Sequence, residues 1–445
     1  MTTPILDFVR SYAESGTARF HMPGHKGTGP LGCESLDITE ISGADELFCA
    51  DGIIAESEKN ASELFGSYKT LYSTEGSSLA IRAMLALAIS DTPYGERPLI
   101  LATRNAHKVF IYSAALLDFD IEWLYPKAPS HICSCSVSAD EVRNAIANMD
   151  RRPVALYVTS PDYLGGMCDI KGLSEVCRQL GILLLVDNAH GAYLNFLDTP
   201  MHPMALGADM CCDSAHKTLP VLTGGAYLHI AHSASRYADM AKDKMALFAS
   251  TSPSYLTLAS LDACNAYLDG EYRGALSYAI LRIDKIKALA RERKIPILDG
   301  EPSKLTVCIA KCGYTEKQFR RMLKESCIEA EFIDSDYAVF MLNEKNSESD
   351  FSRLEGFILN LPLCEDIKKE APIFSAPRQK ISVREAMLAR SESVPVSSSV
   401  GRICATPSVS CPPAVPLVIS GEVICEATVS GLQALGIERI QVVKE

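Results

Sequence analysis

Four apolar runs in the first half of the chain are each followed at once by polar residues able to do chemistry. After Pro98 to Ala102 come Thr103, Arg104, Asn105, Ala106, His107 and Lys108, and after Val154 to Val158 come Thr159, Ser160, Pro161, Asp162 and Tyr163. After Ile182 to Val186 come Asp187, Asn188, Ala189, His190 and Gly191. A weaker run, Met210 to Cys212, leads into Asp213, Ser214, Ala215, His216, Lys217 and Thr218. Singly, each has an ordinary reading: an aspartate after a strand is commonly a turn residue, and a lone histidine or lysine is more often hydrogen-bonded to backbone or solvated than reactive. Their coincidence is harder to dismiss. An aspartate follows one run, a His-Lys pair follows the next, and Ser73-Thr74-Glu75-Gly76-Ser77-Ser78 precedes the helical run Leu79 to Ala88. Hydroxyls and backbone N–H groups at a helix start favour an anion, although Gly-Ser-Ser before a helix is by itself more often only an N-cap.

One cofactor, pyridoxal phosphate, uses every one of these groups. It needs a lysine for its imine, an aspartate to keep the pyridine nitrogen protonated, a flat group stacked on the ring, and hydroxyl and N–H donors for the phosphate. A hydrolase with Ser214 or Ser160 as nucleophile and a histidine base leaves Lys217 and the serine-rich turn without purpose, and it lacks a G-x-S-x-G elbow.

To bring these groups to one edge, the four runs must be strands of one sheet. Continuous apolar runs suit strands buried on both faces, and helical patterns such as Leu173 to Leu180 lie between them, so the reading is an α/β domain with a mostly parallel sheet and its site at the carboxyl ends of the strands. Past Gly270 the pattern changes. A long helix is expected over Ala275 to Arg293, a strand over Lys304 to Ala310, and helices opened by capping boxes at Thr315/Gln318, running to Lys324, and at Ser382/Glu385, covering Val383 to Ala389. The expected division is an N-terminal segment (1–36), a large cofactor-binding domain (37–270) and a smaller α+β C-terminal domain (271–445). The Ser- and Pro-rich stretch Ser391 to Val418 reads either as a linker or as an ordered loop packed over the first domain.

Composition narrows the class. The chain carries 43 Lys plus Arg against 55 Asp plus Glu, a net charge of −12, which argues against nucleic acid as a partner. No run approaches the ~18 apolar residues of a membrane helix, and the N-terminus, MTTPILDFVRSYAESG, reads as a short amphipathic helix rather than a signal peptide. The 16 cysteines are scattered without zinc-ligand spacing, so the expectation is a metal-free cytoplasmic protein with reduced thiols.

Six motifs, in order, carry a family resemblance: HMPGHKG (His21 to Gly27), DITEISGADELFCADGIIAESEKNASELFGS (Asp37 to Ser67), RNAHK (Arg104 to Lys108), VDNAHGAY (Val186 to Tyr193), SAHKTLPVLTGGAYLHI (Ser214 to Ile230) and STSPSYLTLASLDA (Ser250 to Ala263). Together they resemble the Orn/Lys/Arg decarboxylases, pyridoxal-phosphate enzymes of the aspartate-aminotransferase-like fold type I. PPAVPLVISGEVI (Pro412 to Ile424) resembles that family's C-terminal domain, and the length matches its shorter form, without the extra N-terminal domain of longer members. The resemblance implies that Lys217 forms the imine, that Asp187 pairs with the pyridine nitrogen and that His107 stacks on the ring. It places Gly76, Ser77, Ser78, Ser214 and His216 at the phosphate, Ala189 and His190 at the ring's other face and edge, and Thr251 and Ser252 in the site of a neighbouring subunit, in a homodimer or larger assembly with shared sites. The implied reaction is α-decarboxylation of a basic amino acid, arginine first, then lysine or ornithine, with Lys217 or His107 returning a proton to Cα. The alternatives are another fold-type-I reaction, with Arg378, Arg384 or Arg402 as a carboxylate clamp, and an inactive binding or regulatory protein. Three departures stand out: Glu75 where the family usually has Asn, Leu79 for a small polar residue, and Asn188 for a common Glu beside the key aspartate. The residues reading the substrate's distal cation are expected on loops or on the second subunit.

Overall fold

A computed structural model describes residues 1–126, 131–368, 376–407 and 414–444. The start of the motif Pro412 to Ile424, at Pro412 and Pro413, lies outside the described residues, as does part of the stretch Ser391 to Val418. Seven strands build the main sheet: β1 (Lys69–Ser73), β2 (Leu99–Thr103), β3 (Asp120–Leu124), β4 (Ala155–Thr159), β5 (Leu183–Asp187), β6 (Met210–Asp213) and β7 (Ala226–Ile230). Their order is β1-β7-β6-β5-β4-β2-β3, and β2 to β6 pair in parallel while β7 runs antiparallel to both neighbours. All four expected runs are strands, displaced by at most a residue or so, and their positions are buried almost throughout because helices cover both faces.

Side-chain alternation along β5 decides where the chemistry points. Leu183 and Leu185 pack with the helices Gly76–Ala88 and Lys108–Leu117 on one face, whereas Leu184 and Val186 pack with the helix Ile170–Leu180 on the other. The period of two then turns Asp187 back towards the face of helix Gly76–Ala88, where Tyr157 of β4 donates to it.

Beyond residue 270 a 21-residue helix, Tyr272–Glu292, leads to a four-stranded antiparallel sheet of β8 (Ile297–Leu298), β9 (Lys304–Val307), β10 (Phe332–Ile333) and β11 (Ala338–Met341), ordered β10-β11-β9-β8. Both expected capping boxes form, at Thr315/Gln318 and Ser382/Glu385. Ser391 to Val418 needs a correction: it includes β12 (Ser391–Pro395) and β13 (Cys404–Thr406), which flank β14 (Arg439–Val443) in a third sheet. Its end, from Ala414, packs over the large domain. There Lys108 N donates to Ala414 O, and the buried Arg104 guanidinium donates to the carbonyls of Pro416 and Leu417.

Buried polar bonds fasten the second sheet behind the first. Lys304 Nζ donates to Asp162 O at 3.0 Å, Thr306 Oγ1 to Leu164 O at 2.8 Å and Glu301 N to Gly165 O at 2.8 Å, and Tyr193 OH donates to the Glu301 carboxylate. A Cβ on Gly300 would sit 2.3 Å from Gly165 O, so this joint closes only around glycine.

Candidate active site

The serine-rich turn is built by close backbone approach. Gly76 N donates to Gly224 O at 2.7 Å, and Gly224, at φ +96°, could carry no side chain because its Cβ would lie 2.6 Å from Thr74 O. The helix begins at Gly76 rather than Leu79, which places Ser77 and Ser78 inside its first turn, where N–H groups have no intrahelical acceptor. Ser214 Oγ donates to Ser77 Oγ at 2.8 Å, and the N–H of His216 donates to Gly225 O, which its Nδ1 also meets at 3.0 Å. Gly76, Ser77, Ser78, Ser214 and His216 are thus gathered at one corner. Glu75 turns outward, and its Oε1 accepts from Ser250 N at 2.7 Å, so the carboxylate fastens the loop of Thr251 and Ser252 instead of entering the turn. Thr251 and Ser252 are exposed and do not line this chain's own cavity. Leu79 lies in the apolar core against the sheet.

From that corner opens a cavity of about 380 Å³, of ligand size, walled by Ser77, Asn105, His107, Thr159, Asp187, Ala189, His190 and Lys217 from the large domain. Lys217 Nζ lies 3.1 Å from His190 Nε2. His107 caps the helix Lys108–Leu117 with its ring, Nδ1 accepting from Val109 N at 3.2 Å, so the imidazole plane is fixed by backbone. Burial, and then the neighbouring Lys217 charge, lower its pKa to about 4 and keep it neutral. His190 is held further still in the neutral form by burial and by Lys217. Asp187 is fully enclosed; burial raises its pKa, while Lys217 and the Tyr157 hydroxyl work against that rise.

Three side-chain atoms around this cavity are buried without a hydrogen-bond partner among the described residues: Asn105 Oδ1, Thr159 Oγ1 and His190 Nδ1. Buried polar atoms are seldom left so, and their clustering fits a polar ligand. With a lysine amine, an enclosed carboxylate, a clamped neutral imidazole and a serine-lined helix start, the donor set suits pyridoxal phosphate. A larger groove of about 760 Å³ lies at the opposite sheet edge among Arg97, Arg152 and Arg178, but it lacks any such set.

Sequence reasoning missed the far wall. Glu331, the residue before β10, lines the cavity and accepts from Tyr163 OH at 2.5 Å, and Ala414 and Val415 close the roof. Glu331 lies on a loop, and its place beside the short strand β10 is what marks it. Arg378, Arg384 and Arg402 are all absent from the cavity lining: Arg384 donates to the Ala115 and Leu116 carbonyls and Arg402 to Glu392 and Val443.

Fold and site together define an aspartate-aminotransferase-like protein of fold type I. Among solved structures, lysine decarboxylase A from Pseudomonas aeruginosa superposes with a TM-score of 0.80 at 17% identity, over 99% of this chain and 80% of that one. The family model for Orn/Lys/Arg decarboxylase, major domain, matches residues 3–301, and the chain belongs to that family. It is 29% identical over 464 residues to the arginine decarboxylase of Halalkalibacterium halodurans, covering 96% of this chain and 92% of that protein. To the arginine decarboxylase of Bacillus subtilis it is 27% identical, covering the same shares of each.

Proposed function

We propose that the protein is a pyridoxal-phosphate-dependent, cytoplasmic decarboxylase of a basic amino acid, with arginine the first candidate and lysine and ornithine behind it. The observation that carries this reading is that Lys217 and Glu331 face one cavity. A lysine amine stands at one wall and a carboxylate suited to a substrate's distal cation at the other.

Pyridoxal phosphate, when bound, supplies an electron sink for the bond broken at Cα. The chain's own residues do the rest. Ser77, Ser78, Ser214 and His216 would hold the phosphate, and Asp187, shielded from water, would stay paired with the ring nitrogen. His107, clamped by its cap, offers a flat neutral face. Lys217 Nζ would be the group that holds the cofactor covalently and, once free, would return a proton to Cα, with the neutral His190 Nε2 beside it as acceptor. The missing arginine also favours decarboxylation. An aminotransferase clamps the α-carboxylate, which resists its loss, and among the described residues no arginine lines this cavity.

Two copies sharing sites are part of the proposal. Phe20, Met22 and Leu31, at 94%, 65% and 82% exposure, leave an apolar stretch beside the HMPGHKG motif uncovered in a single chain, and Thr251 and Ser252 project from the loop that Glu75 fastens.

The test is amine production from arginine, lysine and ornithine assayed side by side, with the visible absorbance of the cofactor-loaded protein. Lys217→Ala is expected to remove the lysine-bound absorbance and to lower the rate by a factor on the order of 10⁴ or more. Carbon dioxide release from all three substrates by Lys217→Ala at the unmodified rate would refute the assignment, and so would keto-acid product.

A further inference from the structure

Asn188, the departure beside Asp187, has a partner on the next strand. Its Nδ2 donates to Asp213 Oδ1 at 2.6 Å, while its backbone N–H donates to Cys212 O at 3.0 Å. Asp213 ends β6, immediately before the turn that carries Ser214 and Lys217. Its other oxygen, Oδ2, meets His202 Nε2 at 2.9 Å and His229 Nε2 at 3.1 Å. His202 Nδ1 accepts from Met204 N, so the proton is on Nε2 and points at the carboxylate. His229 Nδ1 bonds to Thr70 Oγ1 at 2.8 Å. Asn188, His202, Asp213 and His229 have no exposed surface, and the Phe65 ring covers both imidazoles at 5.3 and 4.5 Å between centroids. Burial alone would raise the Asp213 pKa, but the two imidazoles outweigh it and hold the carboxyl far below the usual range.

This network lies on the sheet face opposite Asp187. Cys212, one residue earlier on β6, bonds Asp187 from the cofactor side, while Asp213 looks the other way. A glutamate at 188 would set two carboxylates side by side where neither can be solvated.

We infer that Asn188, Asp213, His202 and His229 form a buried positioning unit that fixes the strand end bearing Asp187 against the strand end bearing Lys217, with Asp213 as its one carboxylate. The inference deepens the reading of the site as a cofactor site. Of the side-chain polar atoms in this network, Asn188 Oδ1 alone has no hydrogen-bond partner among the described residues. Buried groups bonded to one another rigidify what they join, and a site of this kind depends on holding its groups to within about half an ångström.

The test is a two-residue cycle read in two ways. In the cofactor-stripped protein, Asn188→Glu is expected to lower the thermal midpoint, and Asn188→Glu with Asp213→Asn to restore it. In titrations with pyridoxal phosphate, followed by absorbance, Asn188→Glu is expected to weaken binding on the order of tenfold, with recovery in the pair. Asp213→Asn alone covers the case in which Asn188→Glu does not fold. Its amide nitrogen would face the His202 N–H, and kcat is expected to fall about tenfold with KM changed by less than about twofold. A double variant no better than Asn188→Glu, an Asn188→Glu protein that matches the parent, or an Asp213→Asn protein with unchanged kcat would overturn the inference. A stoichiometric divalent cation in the purified protein would also overturn it, because Cys211 stands close enough to complete a four-ligand set with the same groups. Failure of the parent to bind pyridoxal phosphate would count instead against the cofactor reading, leaving the unfolding cycle to judge the pair.

Discussion

His107 and Glu331 face the same cavity and answer to different variables. With its pKa lowered from 6.5 to about 4, His107 favours folding in its neutral form, a contribution fully present above pH 6.5 and lost as pH falls towards 4. Replacing His107 with Asn is therefore expected to flatten the fall in thermal midpoint between pH 6.5 and 4, and equal slopes for the two proteins would contradict the assignment. Glu331 concerns the substrate. Glu331→Gln keeps the shape and the Tyr163 contact but loses the charge, so KM for the preferred basic amino acid should rise on the order of tenfold or more, the worth of a charge-assisted hydrogen bond, with kcat little changed. An unchanged KM would place the distal cation elsewhere. Lys217, Asp187 and His107 were legible in the sequence because each follows a buried parallel strand, whose unbroken apolar run announces where the chain emerges. Glu331 was not: it precedes a two-residue strand, and no periodicity marks so short an element.

The elements differ in how far they could be read for the same reason. The strands β2, β4, β5 and β6 are buried on both faces and their composition shows it. The strand β12 alternates exposed and half-buried positions, ends on Pro395 and pairs with β14 near the far end of the chain, so its Ser- and Pro-rich sequence looked like a connection. A contact between His131 and Asp334 helps seat the β10–β11 hairpin, beside the Tyr163 bond to Glu331. His131 Nε2 meets Asp334 Oδ2 at 2.6 Å, joining the large domain to the hairpin that presents Glu331. Burial acts to raise the Asp334 pKa, but the His131 contact and backbone N–H bonds prevail and lower it. Asp334→Ala is expected to raise KM about fivefold through loosened placement of Glu331, corresponding to ~1 kcal/mol for such a pair. An unchanged KM would show that the joint at Gly300 suffices by itself.

At the scale of the whole molecule, the site is assembled from distant stretches of one chain: the helix start at Ser77, four strand ends, the hairpin at Glu331 and the segment at Ala414 and Val415. The first two of these could be read from the sequence, as a serine-rich turn before a helical run and as polar residues after apolar runs, because each is local. The joint of Lys304, Thr306 and Glu301 with residues 162–165 could not be read, since it unites positions about 140 apart by backbone carbonyls that carry no sequence signal.

The roof carries a further meaning for how the protein is made. Every residue assigned to the cofactor has been synthesised by Lys217, or by Ser252 if the neighbouring subunit's share is included, yet Ala414 and Val415 follow only about 160 residues after Ser252. A nascent chain halted before them has the reactive amine and the anion cradle without the lid of protein that shuts out solvent. Enclosure of the reaction space therefore waits on a segment made well after the reactive groups, and loss of that segment would expose the chemistry rather than remove it.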